Sequence, residues 1–204
     1  MTEIELKARI ADYESTRRTL STFAAYEGRY DKRDTYWRMQ RGEASGGKQA
    51  LSIRLRRECP LTGTDSGQTE LDASDGTTVV TYKREKRQQT DFCTIEINDE
   101  QEFSVSDEAA FAAFLLDADF AVSHEKRKLV EKWRYGQALL ELCTVPPLGD
   151  FLEIEILSQA GDDATVAGAR RELESLLARS GVPLSAVESR YYSEMLGIDP
   201  PQQR

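Results

Sequence analysis

Glu3, Glu5 and Lys7 stand at alternate positions in the opening run Glu3-Ile4-Glu5-Leu6-Lys7, and Glu153 and Glu155 alternate in the same way in Phe151-Leu152-Glu153-Ile154-Glu155-Ile156. Successive side chains of a β-strand point to opposite faces. A strand would therefore carry Glu3, Glu5 and Lys7 on one face and Ile4 and Leu6 on the other. A second strand would likewise carry Glu153 and Glu155 opposite Leu152, Ile154 and Ile156. If the two strands meet in one sheet, four carboxylates converge, and carboxylates taken out of water need cations. Carboxylate oxygens are the donors that hard divalent ions such as magnesium prefer. A solvated polar face of an antiparallel sheet gives the same alternation, so both readings stand on this pattern alone.

Basic strands lie between the acidic ones. Leu51-Ser52-Ile53-Arg54-Leu55-Arg56 puts Arg54 and Arg56 on one face, Val79-Val80-Thr81-Tyr82-Lys83 sets Lys83 in phase with Thr81, and His124-Glu125-Lys126-Arg127-Lys128 sets Lys126 in phase with Lys128. A slip of one residue in that last strand would present Arg127 instead. Thr94 to Glu102 places Glu96, Glu100 and Glu102 in phase. A sheet that directed these faces together would offer cations to phosphate oxygens and carboxylates to a metal. Arginine suits bidentate phosphate recognition, and lysine acts as a mobile point charge.

The ordered set resembles the CYTH superfamily, the triphosphate tunnel metalloenzymes that include class IV adenylyl cyclases and thiamine triphosphatases. Glu3, Glu5 and Lys7 match its E-x-E-x-K opening, and Asp34-Thr35-Tyr36-Trp37 is similar to its D-T-Y-aromatic segment. Arg54 and Arg56 resemble its R-x-R strand, Thr81-Tyr82-Lys83 its T-Y-K strand, and Glu100 and Glu102 the central acid pair at spacing two. Lys126 and Lys128 resemble a K-x-R strand with lysine in the arginine position. Val145, Leu148, Gly149, Phe151, Glu153 and Glu155 follow its V-x-G-L-G-x-F-x-E-x-E segment. Tyr192 to Leu196 resembles the closing helix, with Arg190 in place of a nearby lysine. Cys143 and Pro146-Pro147 depart from the pattern, the first standing where an aspartate with a metal-related role is usual. Glu141 lies in phase with Cys143 and could reach inward in its stead.

The resemblance implies an α+β fold: a closed antiparallel eight-stranded β-barrel, the triphosphate tunnel, with flanking helices, formed by residues 1–204 as one domain. It implies a metal-dependent triphosphatase acting on tripolyphosphate, thiamine triphosphate or a nucleoside triphosphate. A class IV adenylyl cyclase making cyclic AMP and pyrophosphate, and a non-catalytic polyphosphate or nucleotide binder, are the alternatives. Glu5, Lys7 and Lys83 are the expected catalytic residues. Lys7, Arg54, Arg56, Lys83, Lys126, Lys128 and Arg190 are the expected substrate contacts. Glu3, Glu5, Glu153 and Glu155 are the first expected ligands of Mg2+ or Mn2+, and Glu100 and Glu102 are the second, either on an ion or as partners that orient basic side chains. His124, the single histidine, reads as a surface residue rather than a catalytic base.

The elements that would position these residues follow from periodicity and punctuation. Asp12 to Ala25, Ser106 or Asp107 onward through Leu115, Asp163 to Ser180 (ended by Gly181), and Ser185 to Leu196 read as helices. Gly42 to Gly47 reads as a turn and Pro60 to Gly76 as a long loop, either a surface insertion or a rim element near the substrate's organic end. With 204 residues the chain can bury a sizeable core, and its net charge of -9 argues against a general nucleic-acid or acidic-membrane partner. No apolar run is long enough to span a bilayer, and the amino terminus lacks a signal pattern, so a cytoplasmic protein is expected. Cys59, Cys93 and Cys143 have no metal or redox spacing and read as reduced thiols. A small-molecule triphosphate is the expected partner, and an exposed helix could serve a homodimer, which the family contains.

Overall fold

The computed structural model describes residues 2–40, 52–62, 70–71, 76–89, 94–159 and 162–198, with the backbone alone at 62, 70–71, 83–89 and 94–100. Among the described residues nine strands are formed: β1 (Thr2–Arg9), β2 (Ala25–Met39), β3 (Ser52–Thr62), β4 (Glu70–Leu71), β5 (Thr77–Gln89), β6 (Thr94–Val105), β7 (Phe120–Tyr135), β8 (Ala138–Val145) and β9 (Gly149–Ser158). The helices are α1 (Tyr13–Ser21), α2 (Glu108–Asp117), α3 (Asp163–Arg179) and the single turn α4 (Tyr192–Met195). The architecture is α+β, built on an antiparallel sheet with the strand order β2-β7-β8-β9-β1-β6-β5-β3-β4 and a further pairing of β2 with β3. No described helix is long and apolar enough to cross a membrane.

The protein divides into two compact units. The first comprises residues 1–30, 84–100 and 128–189. Its centre is the pairing of β1 with β9 over eight residues, including Glu5 opposite Glu155, Leu6 opposite Ile154 and Lys7 opposite Glu153. β9 in turn pairs β8, with Leu140 opposite Ile154 and Glu141 opposite Glu153. One face of these strands is therefore apolar. Ile4, Leu6, Ala8, Leu140, Leu142, Leu152 and Ile154 on it are essentially inaccessible. α3 covers this face with Val166, Ala169, Leu173, Leu176 and Leu177, which recur at helical spacing along one stripe. Its start is capped by Asp162, which accepts from the Thr165 amide at 3.0 Å. Its end is Gly181, whose φ of 77° is the left-handed conformation that lets the Gly181 and Val182 amides reach back to Ala178 and Leu177.

The second unit comprises residues 31–83, 101–127 and 190–204. β3 pairs β5 with Arg54 opposite Thr81 and Leu55 opposite Val80. A smaller core of Trp37, Leu55, Val80, Leu115 and Phe120 joins the strands to α2, which Asp107 caps through the Ala110 amide at 2.9 Å.

Three sequence expectations change. The first helix stops at Ser21 rather than Ala25, because β2 begins there and the Phe23 and Ala24 amides close the turn on Leu20. The last helix is not continuous from Ser185. A 3-10 turn spans Leu184–Ala186, then Val187 forms a β-bridge with Ala8 and the Glu188 amide donates to the Lys7 carbonyl at 2.8 Å. Among the described residues β6 pairs β1 over Thr2 to Glu5, and the backbone of this connection takes up hydrogen bonding beside Lys7 and Ala8 that a helix could not. The expected loop after Pro60 begins as strand, since β3 runs to Thr62 and Glu70–Leu71 pairs back with it. The remainder of that loop, the Gly42 to Gly47 turn and Cys93 lie outside the described residues, whereas Cys59 and Cys143 are buried free thiols.

Truncating Ile154 to alanine should cost about 2–5 kcal/mol, because the side chain is fully enclosed between the sheet and α3. Urea unfolding of the Ile154→Ala variant measures this, and a loss below about 1 kcal/mol would show that this face is not the core of the unit.

Candidate metal and phosphate sites

In the first unit the apolar packing of Ile4, Leu6, Leu152 and Ile154 forces the charged residues to the opposite face. The registers sort them into two rows. One row reads Lys132, Glu141, Glu153 and Lys7 across β7, β8, β9 and β1, a cation at each end and two carboxylates between. The next row reads Leu139, Glu155 and Glu5, with Glu96 of β6 paired to Glu5 on its other side. Like charges directly opposite across a strand pair repel, so the Glu5–Glu155 pair favours a cation. Glu3 and Lys7 flank Glu5 on the same face, and both are buried.

The first row already holds a cation from outside it. The Lys128 ammonium, on a side chain only 4% exposed, donates to Glu153 Oε2 at 2.6 Å and to Glu141 Oε2 at 3.4 Å. The Glu141, Cys143 and Glu153 donor atoms all lie within 4.8 Å of one another, and all three residues are buried. Glu141 therefore does reach the face on which Cys143 stands. Among the described side chains, Glu3, Glu5, Glu141, Glu153 and Glu155 share this face with Lys7, Lys128 and Lys132. Among the described residues, Glu141, Cys143 and Glu153 are the group whose donor atoms come close enough to hold a metal ion, and the carboxylate oxygens in it suit a hard divalent ion; Glu3, Glu5 and Glu155 do not join them.

In the second unit the centre is Asp34, whose side chain is inaccessible. Arg56 grips it with two hydrogen bonds, Nε to Oδ1 at 2.7 Å and Nη2 to Oδ2 at 2.9 Å. Lys126 Nζ lies 3.2 Å from Oδ2 and donates to the Tyr36 hydroxyl at 3.0 Å. Burial by itself would raise the Asp34 pKa, but the charges of Arg56 and Lys126 outweigh it and hold the carboxyl well below the usual carboxylate range. Tyr36 follows the same logic: burial works upward, the nearby cations led by Lys126 work downward more strongly, and the phenol becomes more acidic than usual. Lys126 also sits 4.9 Å above the Tyr192 ring of α4.

Beside this group, Arg54 donates to the Thr81 hydroxyl at 2.9 Å and approaches Glu102 at 3.4 Å, while Thr81 donates to Glu102 at 2.7 Å. Among the described side chains, three cations thus stand around two carboxylates, a basic group suited to an anion. Glu102 thus lies beside Arg54, a basic side chain.

β7 runs in the register that buries Lys128 and encloses most of the Lys126 side chain. Arg127 turns the other way, to Asp31 at 2.9 and 3.1 Å, with its side chain 52% exposed. His124 stacks on Tyr36 with ring centroids 4.3 Å apart, and burial together with Lys126 lowers its pKa, so it is neutral at pH 7. Arg190 is exposed, and the side chains of Lys83 and Glu100 lie outside the described residues. Sequence reasoning missed the part played by Asp34. It was visible only as a motif residue, because nothing in the order of residues says that β2 delivers its carboxylate to Arg56 and Lys126.

Replacing Asp34 by asparagine strands two buried cations and should destabilise the protein by about 3–5 kcal/mol at pH 7. The sign with pH follows from the depressed pKa. The unfolded aspartate titrates near about 3.9, so the Asp34 contribution is complete above that range and is lost only as pH falls through the lower folded value. Thermal or urea unfolding of wild type and Asp34→Asn should show a constant gap from about pH 7 to 5 that closes only in stronger acid. A gap that already shrinks near neutrality would contradict the network.

No curated protein matches this chain by sequence. Several solved structures share its fold. The PH1819 protein from Pyrococcus horikoshii OT3 superposes with a TM-score of 0.71 at 21% identity, covering 95% of this chain and 97% of that one. A candidate adenylate cyclase from Vibrio parahaemolyticus gives 0.70 at 16% identity, covering 97% and 98%. HpAC1 from Hippeastrum, a candidate adenylyl cyclase with a dominant triphosphatase activity, gives 0.58 at 17% identity, covering 100% and 99%. Residues 1–192 match the CYTH domain, and with that match over nearly the whole length the chain belongs to the CYTH family.

Proposed function

We propose that residues 1–204 work as one CYTH-type domain, a metal-dependent triphosphatase that cleaves tripolyphosphate, thiamine triphosphate or a nucleoside triphosphate in a closed eight-stranded barrel. The observation that carries this reading is the sorting of charge: a carboxylate-rich face in the first unit, and a basic group around Asp34 in the second. The pairing of β2 with both β7 and β3 supports closure. Among structures of the same fold, HpAC1 supports hydrolysis.

In this reading Arg54, Arg56 and Lys126 bind phosphate oxygens, and Lys7, Lys83, Lys128 and Arg190 contribute further positive charge. Arg56 and Lys126 meet the substrate already oriented, because Asp34 fixes both before it arrives. Glu3, Glu5, Glu153 and Glu155 form the acidic set for Mg2+ or Mn2+, with Glu100 and Glu102 in reserve. A bound divalent ion would neutralise charge on the transferring phosphate and help generate the attacking water. Glu5 would help hold the ion, and Lys7 and Lys83 would offset the charge that builds on the phosphate oxygens.

The candidate adenylate cyclase of the same fold favours a second reading, in which the ribose 3′-hydroxyl of ATP attacks the α-phosphorus and pyrophosphate leaves. Phosphorus-31 NMR of the protein with tripolyphosphate and with ATP, each with magnesium or manganese, separates them. Orthophosphate and pyrophosphate from tripolyphosphate support the triphosphatase. Cyclic AMP and pyrophosphate from ATP establish the cyclase. Unchanged spectra in both mixtures would make the protein a polyphosphate or nucleotide binder.

Glu5→Gln should lower turnover by about 10²-fold or more with the fold intact, and wild-type rates in this variant would remove Glu5 from the reaction. Arg56→Ala should raise KM for the triphosphate about tenfold while leaving Mn2+ affinity in place, the loss expected of one charge-assisted contact. An unchanged KM and kcat would take Arg56 out of the site.

A further inference from the structure

We propose that His124, laid flat on Tyr36, selects the substrate: its ring stacks on the base of a nucleoside triphosphate whose phosphates lie against Arg56 and Lys126. The inference rests on reading the group around Asp34 as a phosphate site, and it does not depend on which phosphate bond breaks.

Two neighbouring strands carry this arrangement, since β2 and β7 are adjacent in the sheet. Alternate residues of a strand share a face, so Tyr36 follows Asp34 along β2, and His124 and Lys126 stand in the same relation on β7. Asp34 and Lys126 meet as an ion pair of 3.2 Å. Tyr36 and His124 meet as two parallel rings, with centroids 4.3 Å and planes 9° apart. The aromatic layer therefore lies roughly 7 Å beyond the charged one, the rise of two strand residues. A nucleoside triphosphate has the same order, with anionic phosphates at one end and a flat base at the other.

The two rings do not serve the apolar core. Trp37, the next residue of β2, joins Leu55, Val80 and Leu115 there, whereas Tyr36 and His124 stand with the charged groups. Both rings are oriented before any ligand arrives. The Lys126 ammonium donates to the Tyr36 hydroxyl at 3.0 Å, and the Ser123 hydroxyl engages His124 Nδ1 at 3.1 Å. His124 is half-buried, so its ring is supported from within the protein and still reached by solvent. A ring held in this way stacks on a base with little ordering cost, and every base has a π-face to offer.

Charge narrows the organic group further. Burial, Lys126 and Arg38 together outweigh Asp34 at His124 and keep the imidazole neutral at pH 7. A neutral purine or pyrimidine meets no like charge there. The thiazolium of thiamine triphosphate would bring a positive charge beside Lys126 and Arg38. Bare tripolyphosphate has nothing to place on the ring.

His124 is the single histidine of the chain, so its ring protons give one identifiable set of NMR signals. Protein carrying isotope-labelled histidine is titrated with ATP, with tripolyphosphate and with thiamine triphosphate, each in EDTA to withhold turnover. ATP should move the His124 ring protons upfield and give nuclear Overhauser contacts between them and the base, and it should bind at least about tenfold more tightly than thiamine triphosphate. His124→Ala should weaken ATP about tenfold and tripolyphosphate by less than about twofold, whereas His124→Phe, which keeps a ring on Tyr36, should hold ATP within about threefold. The wild-type spectra keep the test decisive should His124→Ala fail to fold. Bound ATP whose base makes no contact with His124 would overturn the inference and leave the phosphate site standing. Equal losses of ATP and tripolyphosphate in His124→Ala, or tighter binding of thiamine triphosphate than of ATP, would overturn it in the same way. Wild-type protein that binds neither ATP nor tripolyphosphate would overturn both the inference and the phosphate reading.

Discussion

The pairing of β1 with β9 is the constraint on which the rest of the first unit depends. Each strand carries glutamates on one face and aliphatic residues on the other, and in antiparallel register the faces coincide. The apolar side is closed by α3, which removes Ile4, Leu6, Leu152 and Ile154 from water. Each such side chain contributes about 1.5–3 kcal/mol through burial. A slip of one residue would send those aliphatic groups into the polar face and the carboxylates under the helix. The hydrophobic side thereby fixes the geometry of the charged side, and the repulsion between Glu5 and Glu155 is imposed by packing that happens behind them.

The two units treat buried charge in different ways. In the second, a single inaccessible carboxylate, Asp34, holds an arginine and a lysine by direct hydrogen bonds or close ion pairing, and its depressed pKa keeps it ionised through any ordinary pH. An aspartate in that position orients the cations and also lowers their net charge, so the group stays positive without the self-repulsion of three unpaired cations. In the first unit, several carboxylates share one strand face with lysines. Lys128 spans two acids, whereas Glu5 faces Glu155.

Much of this was legible beforehand. The alternation in Glu3 to Lys7 and Phe151 to Ile156 gave the two faces of both strands, and the ordered motifs gave the family. Asp107 and Gly181 marked helix ends, and Lys126 and Lys128 shared a phase that the strand adopts. The misjudged features were those governed by partners far away in sequence. Val187 reads as helical from its neighbours, yet it pairs with Ala8 because β1 has hydrogen-bonding groups to satisfy there. Ala25 belongs to β2 because that strand needs it, although the preceding helix could have continued.

What the sequence determined by itself is local: a backbone period of two assigns each residue of a strand to a face, and the chemistry of each face follows from the residue types. Tertiary structure alone decided who stands next to whom. Glu5 meets Glu155, Glu141 meets Glu153 beneath Lys128, and Asp34 meets Arg56 and Lys126, although most of these partners lie far apart in the sequence. Alternation is fixed by the covalent geometry of a single strand. Register between strands is fixed by the packing of whole faces, and no stretch of residues contains that information on its own.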